Sequence, residues 1–181
     1  MITGHLGIAF GARSLDRRSP GAAAPLLWLI AASIAPDLMD GVYAFGQYCN
    51  PAGAFSHSLP AAAILATLFG VAAFLHTRSA GTALLVAALV MFHLPPDYVT
   101  GLKALWSGGP VIGLFVYRWG WLDFLVELPI VIAGWWMLRR TNFSPRLAVS
   151  WLALAVMLTV QAGFDIEGQV NGTRTPRECS R

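Results

Sequence analysis

Long apolar runs constrain the fold of this chain more than any other feature. The run from Pro60 to Leu75 holds no charged residue, and similar runs cover 122–138 and 147–164 with few charges. A helix of about 20 mostly apolar residues can cross the hydrocarbon core of a bilayer. Only 12% of the 181 residues are charged, about half the share that is usual in a soluble domain. The pattern therefore predicts an all-α, polytopic membrane protein with roughly five to six transmembrane helices, the first of them short.

Prolines, glycines and charges divide the chain into predicted segments. These are a short helix at 2–12, helices at 22–45, 60–75 and 82–92, a loop at 46–58, a proline break at 93–97, an irregular or re-entrant stretch at 103–120, and helices at 122–138 and 147–164. Because proline has no amide donor, Pro95 and Pro96 are expected to kink or break the helix that precedes them. We predict one membrane-embedded helical domain over 1–164 and a polar, flexible tail over 165–181.

Basic residues indicate how the chain is oriented. Apart from the tail, nearly all positive charges lie in three connections, which carry Arg13, Arg17 and Arg18; Arg78; and Arg139, Arg140 and Arg146. Arginine-rich connections are typical of the cytoplasmic side of a membrane. The opposite, outer half then receives His5, Asp37, Asp40, His57, His93, Asp97, Asp123 and Glu127. Ionisable residues in membrane segments are costly and mark functional sites, so we expect these residues to form one site.

The spacing of these residues suits metal binding. Three pairs are spaced so that both members share a helix face, namely His93 with Asp97, Asp123 with Glu127, and Asp37 with Asp40. His5 and His57 supply two further imidazoles, and Ser56 and Ser58 flank His57 in the sequence. We predict metal ligands among all of these histidines and acids. Imidazole and carboxylate ligands favour a divalent ion, and zinc is the best match to the imidazoles.

Such a metal would support hydrolysis. Zinc lowers the pKa of bound water and supplies hydroxide for attack on an ester or phosphoester. A carboxylate that is not a ligand can act as a general base, and Asp40 and Asp97 are the predicted catalytic carboxylates. We therefore predict a metal-dependent membrane hydrolase. Its surroundings are membrane lipids, and its expected substrate is a lipid or lipid-linked phosphoester or ester near the outer face.

The order of the motifs also resembles known metal-dependent proteins. His5, Pro36-Asp37-x-x-Asp40, Ser56-His57-Ser58 and His93-x-x-x-Asp97 resemble the YdjM-like family of inner-membrane metal-dependent hydrolases. The order is similar to that of the ligands of zinc-dependent phospholipase C, with Asp123-x-x-x-Glu127 in the place of a later His-x-x-x-Glu. These resemblances imply a helical fold with a metal cluster and hydrolysis of a phosphoester or similar bond. They also imply a bacterial-type inner membrane, and the arginine-bearing connections predict that the site lies on its non-cytoplasmic side.

Two other classes of protein fit the same residues. A transporter would use them as a path for cations or protons, and a membrane scaffold would use none of them in catalysis. A transport path would distribute ionisable residues through both halves of the membrane, whereas these gather towards one face. The 12 lysines and arginines are scattered rather than gathered on one face, so no nucleic-acid partner is predicted.

Simpler roles remain open for single residues. A histidine at the start of a membrane segment, such as His5 or His57, can be an interfacial residue. Asp37, Asp40 and Asp97 can accept hydrogen bonds from backbone groups that the neighbouring prolines leave without partners. Asp123 and Glu127 can pair with Arg118 or Lys103 at the membrane edge.

Overall fold

Prolines and serines decide where several helices of this chain begin. The computed structural model describes residues 2–18, 22–141 and 146–171. Its helices are α1 (Ile2–Leu15), α2 (Leu26–Ser33), α3 (Ala35–Phe45), α4 (Leu59–Thr77), α5 (Ala80–Phe92), α6 (Leu94–Thr100), α7 (Gly120–Arg139) and α8 (Trp151–Asn171), and its strands are β1 (Lys103–Ala104) and β2 (Val111–Ile112). Ser58 and Ser79 cap α4 and α5, since each hydroxyl accepts a hydrogen bond from the helix's first turn. The predicted helical fold is confirmed.

Among the residues that the structure describes, three helical segments are long and apolar enough to cross a membrane. They are α4, the continuous run of α5 and α6, and α7, and the bent pair of α2 and α3 makes a fourth if it counts as one span. The predicted number of five to six is not confirmed by the described residues. With 14 residues, α1 is too short to span, because a helix rises only about 1.5 Å per residue. The second half of α8 contains Gln161, Asp165 and Glu167, which lower its hydropathy.

The two proline sites behave differently. At Pro36 the chain bends by 56° between α2 and α3, with Ile34 at the joint. At Pro95 and Pro96 the helix changes from α5 to α6 while His93 keeps helical φ and ψ. These two prolines occupy the first turn of α6, where a missing amide donor leaves no helical hydrogen bond unmade. The expected break at 93–97 is therefore a junction within one candidate span of 21 residues.

Glycines bring α1 and α7 into close contact. A Cβ atom at Gly134 would overlap the Gly7 carbonyl oxygen, and one at Gly7 would lie 2.5 Å from the Ile130 carbonyl oxygen. The two helices run in the same direction, because Thr3 contacts Glu127 near their starts and Phe10 packs in one cluster with Leu138 near the end of α7. The close approach thus holds α1 beside a helix that can span the membrane.

The arginine-bearing connections lie at one end of the bundle. Arg18 donates hydrogen bonds to Asp16 and to the hydroxyls of Ser79 and Thr82, which joins the end of α1 to the turn between α4 and α5. Because α1 and α7 run in parallel, Arg139 at the end of α7 lies at this end as well. We call it the arginine end.

Two further segments differ from the sequence prediction. The stretch at 103–120 contains a small antiparallel hairpin, in which Lys103 pairs with Ile112 and Ala104 with Val111. The helix α8 continues to Asn171 and buries Asp165, so the first seven residues of the predicted tail are helical. The remaining part of that tail, 172–181, lies outside the described residues.

The contact between α1 and α7 predicts that adding a methyl group destabilises the protein at Gly134 but not at Gly163, where there is space. In Gly134→Ala the new Cβ meets the Gly7 carbonyl, so the helices must separate and the free energy of unfolding should fall by about 1–3 kcal/mol. Gly163→Ala in α8 is the matched control, because a Cβ there meets no atom within 4 Å. Thermal unfolding in detergent would compare both variants with the wild type. Equal stability of the two variants would contradict the close contact.

The Asp16–Arg18 pair predicts a dependence of stability on pH. The hydrogen bonds from Arg18 lower the pKa of Asp16 to about 2 from an ordinary 3.8. The folded state stabilises the ionised carboxylate of Asp16 more than the unfolded state does. The contribution of Asp16 to the free energy of unfolding is therefore complete above the ordinary pKa and is lost as the pH falls through about 2. Asp16→Asn should therefore cost about 2 kcal/mol of unfolding free energy at neutral pH.

The stability difference between wild type and Asp16→Asn should narrow as the pH falls from about 4 towards 2. Unfolding in detergent at a series of pH values measures this difference, with Arg17→Gln as a control on an exposed neighbour. A difference that stays constant over this range would show that Asp16 has no lowered pKa.

Candidate metal centre

Four side chains from separate segments meet at the end of the bundle opposite the arginine end. They are Asp37 in α3, His57 in the loop before α4, His93 at the junction of α5 and α6, and Asp97 in α6. One possible ligand atom from each lies within 4.8 Å of all the others. We call these four residues the four-residue cluster. Their ligand atoms are close enough together to hold a metal ion.

The two imidazoles face each other through their Nε2 atoms. His57 Nε2 lies 3.1 Å from His93 Nε2, 2.9 Å from Asp97 Oδ2 and 3.4 Å from Asp37 Oδ1. His93 Nε2 lies 3.4 Å from the same Asp97 oxygen and 3.7 Å from the same Asp37 oxygen. Both histidines are fully buried, and so is Asp97.

The opposite ring nitrogens reveal where the imidazole protons are. His93 Nδ1 is 2.7 Å from the Ser33 carbonyl oxygen; because a carbonyl can only accept, Nδ1 carries the proton. His57 Nδ1 is 2.8 Å from Ser56 Oγ and 3.3 Å from Asp40 Oδ2. The Ser56 hydroxyl donates to Asp40, so it accepts from His57, whose Nδ1 also carries the proton. In both neutral rings the lone pair is therefore on Nε2 and points into the cluster.

This arrangement favours an added positive charge at its centre. Two nitrogen lone pairs and two carboxylate oxygens converge in a buried place, and none of the four atoms brings a proton of its own. Acceptors that face one another without a donor are costly in a protein interior. Either an extra proton on an imidazole or a metal ion satisfies them. Hydrogen bonds from the outer nitrogen of each ligating histidine to a carboxylate or carbonyl are typical of metal sites, so the residues fit a divalent ion.

The electrostatic surroundings of His57 favour positive charge. Burial and the nearby Lys103 ammonium lower the pKa of His57, but its contacts with the Asp37 and Asp97 carboxylates outweigh them, and the pKa is raised. Surroundings that stabilise the imidazolium form also stabilise a metal cation in the same place. The Asp37 and Asp97 carboxylates therefore make this site favour a positive charge.

His5 lies beside the cluster without belonging to the set of four. Its Nε2 is 3.0 Å from Asp97 Oδ1, and its ring stacks on the ring of His93 with centroids 3.7 Å apart. Asp97 thus directs one carboxylate oxygen to His5 and the other to the cluster. The Nδ1 atom of His5 and Oδ2 of Asp37 are buried and have no hydrogen-bond partner among the described residues.

Asp40 occupies the outer side of His57. It accepts hydrogen bonds from Ser56 and from Asn50 Nδ2, the latter at 2.6 Å, and its side chain is 38% exposed. The His57 ring separates this carboxylate from the Nε2 atom that faces the cluster. Asp40 therefore contacts the outer side of His57 and does not belong to the four-residue cluster.

Asp123 and Glu127 lie in a separate polar network. Glu127 accepts hydrogen bonds of 3.0 Å from the Gly4 amide and from Gln161 Nε2, and Gln161 also contacts Asp165. The first amides of a helix have no partner within it, and the Glu127 carboxylate satisfies one of them at the start of α1. Neither Asp123 nor Glu127 belongs to the four-residue cluster.

Lys103 is a site residue that the spacing of acids and histidines did not indicate. Its Nζ atom lies 3.6 Å from Asp97 Oδ2 and 3.9 Å from Asp40 Oδ2, and the side chain is only 15% exposed. The sequence contained one hint of a specific role for this residue, namely that Lys103 is the only lysine of the chain.

Comparison with known proteins does not identify a family. No protein-family model matches this chain, and no curated protein or solved structure matches it. The resemblance of its motifs to the YdjM-like family therefore stays a prediction. What the centre can do follows from its own geometry.

Proposed function

We propose that this chain is a metal-dependent membrane hydrolase. The observation that carries the proposal is the meeting of two Nε2 lone pairs and two carboxylate oxygens within 4.8 Å of one another. Asp37, His57, His93 and Asp97 would hold the ion, and zinc suits this mixture of imidazole and carboxylate. When bound, a divalent ion polarises the bond to be hydrolysed and makes water more acidic.

The protein's own groups would prepare the site for hydrolysis. The Ser33 carbonyl and the pair of Ser56 and Asp40 keep the Nδ1 protons of His93 and His57 away from the cluster. Asp37 turns Oδ1 towards His57 and His93, while its Oδ2 has no hydrogen-bond partner among the described residues. In this proposal that second oxygen accepts a proton from water. Asp40 acts through His57 as a positioning residue.

The expected substrate is a phosphoester or ester of a lipid or lipid-linked molecule. Exposed apolar residues such as Leu68, Val71 and Leu84 on α4 and α5 suit contact with lipid tails. The centre is at the end of the bundle opposite the arginine end, and arginines favour the cytoplasmic side. These observations support a membrane location with the centre towards the non-cytoplasmic side, and the motif resemblance to the YdjM-like family is the basis for proposing the inner, or plasma, membrane.

Metal content tests the proposal directly. Elemental analysis of detergent-purified protein at neutral pH should find about one zinc ion per chain. His93→Ala and Asp97→Ala should each lower zinc affinity by at least about tenfold, because each removes a ligand and leaves the remaining acceptors facing one another. His76→Ala is the matched control, since His76 is exposed and contacts Trp28 by its ring.

Hydrolysis by the metal-loaded protein is the second half of this test. Release of phosphate or a headgroup from a panel of lipids should occur with zinc and stop with a chelator. Wild type that binds no divalent metal at neutral pH would contradict the proposal. Ion flux in liposomes without hydrolysis would instead favour a transporter, and neither activity would favour a scaffold.

The contact between Asp40 and His57 predicts that metal affinity can be lowered without removing any of the four ligand atoms. Asp40→Asn keeps all four ligand atoms but replaces the carboxylate that faces the His57 Nδ1 proton, so zinc affinity should fall about 10- to 100-fold. Asp123→Asn, which changes an acid outside the four-residue cluster, should leave the affinity unchanged. Competition with a chromophoric chelator measures both. A larger loss in Asp123→Asn than in Asp40→Asn would assign the ion to the other acidic network.

A further inference from the structure

Lys103 approaches the cluster from the hairpin at 103–112. Its ammonium group lies 3.6 Å from Asp97 Oδ2 and 3.9 Å from Asp40 Oδ2. A hydrogen bond between an ammonium and a carboxylate is about 2.8 Å long, so both contacts are too long to be hydrogen bonds. The three N–H donors of Lys103 thus have only these long contacts among the described residues. The group is close enough to act on the site and still able to bind something else.

The hairpin holds Lys103 in this place. The Leu59 amide donates to the Leu105 carbonyl at 3.1 Å, and the Leu114 amide donates to the Tyr98 carbonyl at 2.9 Å. These bonds join the hairpin region to the start of α4 and to α6. The position of Lys103 is therefore set by the same helices that carry the cluster.

Gly53 makes room for the lysine stem beside His57. Its φ is +69°, and a Cβ atom there would lie 3.2 Å from His57 Cβ and 3.4 Å from Lys103 Cδ. Glycine adopts this left-handed conformation without steric cost. The loop before α4 consequently packs against both the histidine and the lysine.

The charges around the cluster explain how the Lys103 ammonium would help an anionic substrate to bind. Asp37, Asp40 and Asp97 carry three negative charges, of which one divalent ion would balance two. The remaining negative charge would repel an anionic substrate, and Lys103 cancels it. A neutral ester needs no such balance, whereas a phosphoester keeps a negative charge on the group that reacts.

We propose that Lys103 binds an anionic oxygen of the substrate's reacting group, so that this site takes phosphoesters in preference to neutral carboxylic esters. The inference rests on the proposed hydrolase function and narrows its substrate class. A phospholipid and a water-soluble phosphoester both offer such an oxygen. Lys103 is a substrate-binding residue in this proposal and is not a metal ligand.

Binding of inorganic phosphate to the zinc-loaded, detergent-solubilised full chain tests this without relying on activity. Isothermal titration calorimetry should show that Lys103→Met weakens phosphate binding about 10- to 100-fold, the usual effect of losing a hydrogen bond from a charged group. Methionine keeps the apolar stem, and Lys103→Arg should retain part of the affinity. Arg118→Met is the matched control, because Arg118 is an exposed cation that stacks on Trp119.

A kinetic experiment distinguishes the substrate classes. Lys103→Met should lower kcat/KM for p-nitrophenyl phosphate and for phosphatidylglycerol in vesicles by about tenfold or more, and should lower kcat/KM for the neutral ester p-nitrophenyl acetate much less. Loss with the vesicles but not with the soluble ester would assign the contact to the lipid headgroup, and the reverse result would assign it to soluble phosphoesters.

The outcomes separate the two proposals. Zinc content should be the same in wild type, Lys103→Met, Lys103→Arg and Arg118→Met. Unchanged phosphate affinity in zinc-loaded Lys103→Met would overturn the role of Lys103 and leave the hydrolase proposal intact. Failure of the wild type to bind zinc would overturn the hydrolase proposal and this inference with it. If Lys103→Met does not fold, phosphate affinity equal to wild type in Lys103→Gln overturns the inference in the same way.

Discussion

The hydrogen bond from His93 Nδ1 to the Ser33 carbonyl is the interaction on which the centre depends. It joins the end of α2 to the junction of α5 and α6, and it determines which nitrogen of the imidazole keeps its lone pair. The bend at Ile34, next to Pro36, turns α3 away from α2 and places Asp37 opposite His93. Without that bend, one continuous helix would carry Ser33 and Asp37 on a single straight axis. The proline therefore shapes the centre without being part of it.

The two ends of the bundle differ in how their charged groups are neutralised. At the arginine end, Arg18 and Asp16 form an ion pair and use the hydroxyls of Ser79 and Thr82 as further partners. At the other end, acceptors outnumber donors in the four-residue cluster, and either an extra proton or a metal ion satisfies them. Between these ends the helices expose mostly apolar side chains. The low cost of burying apolar groups in lipid and the high cost of burying unpaired charges produce this division.

Helix periodicity allowed part of the centre to be predicted from the sequence. His93 and Asp97 are four residues apart, and the helical conformation across Pro95 keeps both on one face. The same spacing in Asp123 and Glu127 led to the same prediction, but spacing determines only which residues share a face. What that face meets depends on packing, and at Glu127 it meets the first turn of α1.

Other features depend on contacts that no local pattern contains. The position of Lys103 follows from the hairpin, from the room beside Gly53 and from the start of α4, all distant in sequence from one another. Hydropathy correctly indicated helices that are long and apolar enough to cross a membrane. It also predicted a short first helix, as observed, but counted that helix among the spans, whereas the 14 residues of α1 are too few to cross a bilayer.

The contact of α1 with α7 also has a consequence for the order of assembly. Helix α1 packs its Gly7 against Gly134, and its His5 bonds to Asp97, 92 residues further along the chain. During synthesis, α1 must therefore wait for most of the chain before either contact can form. The histidine at the edge of the centre is therefore synthesised well before the aspartate that it finally contacts.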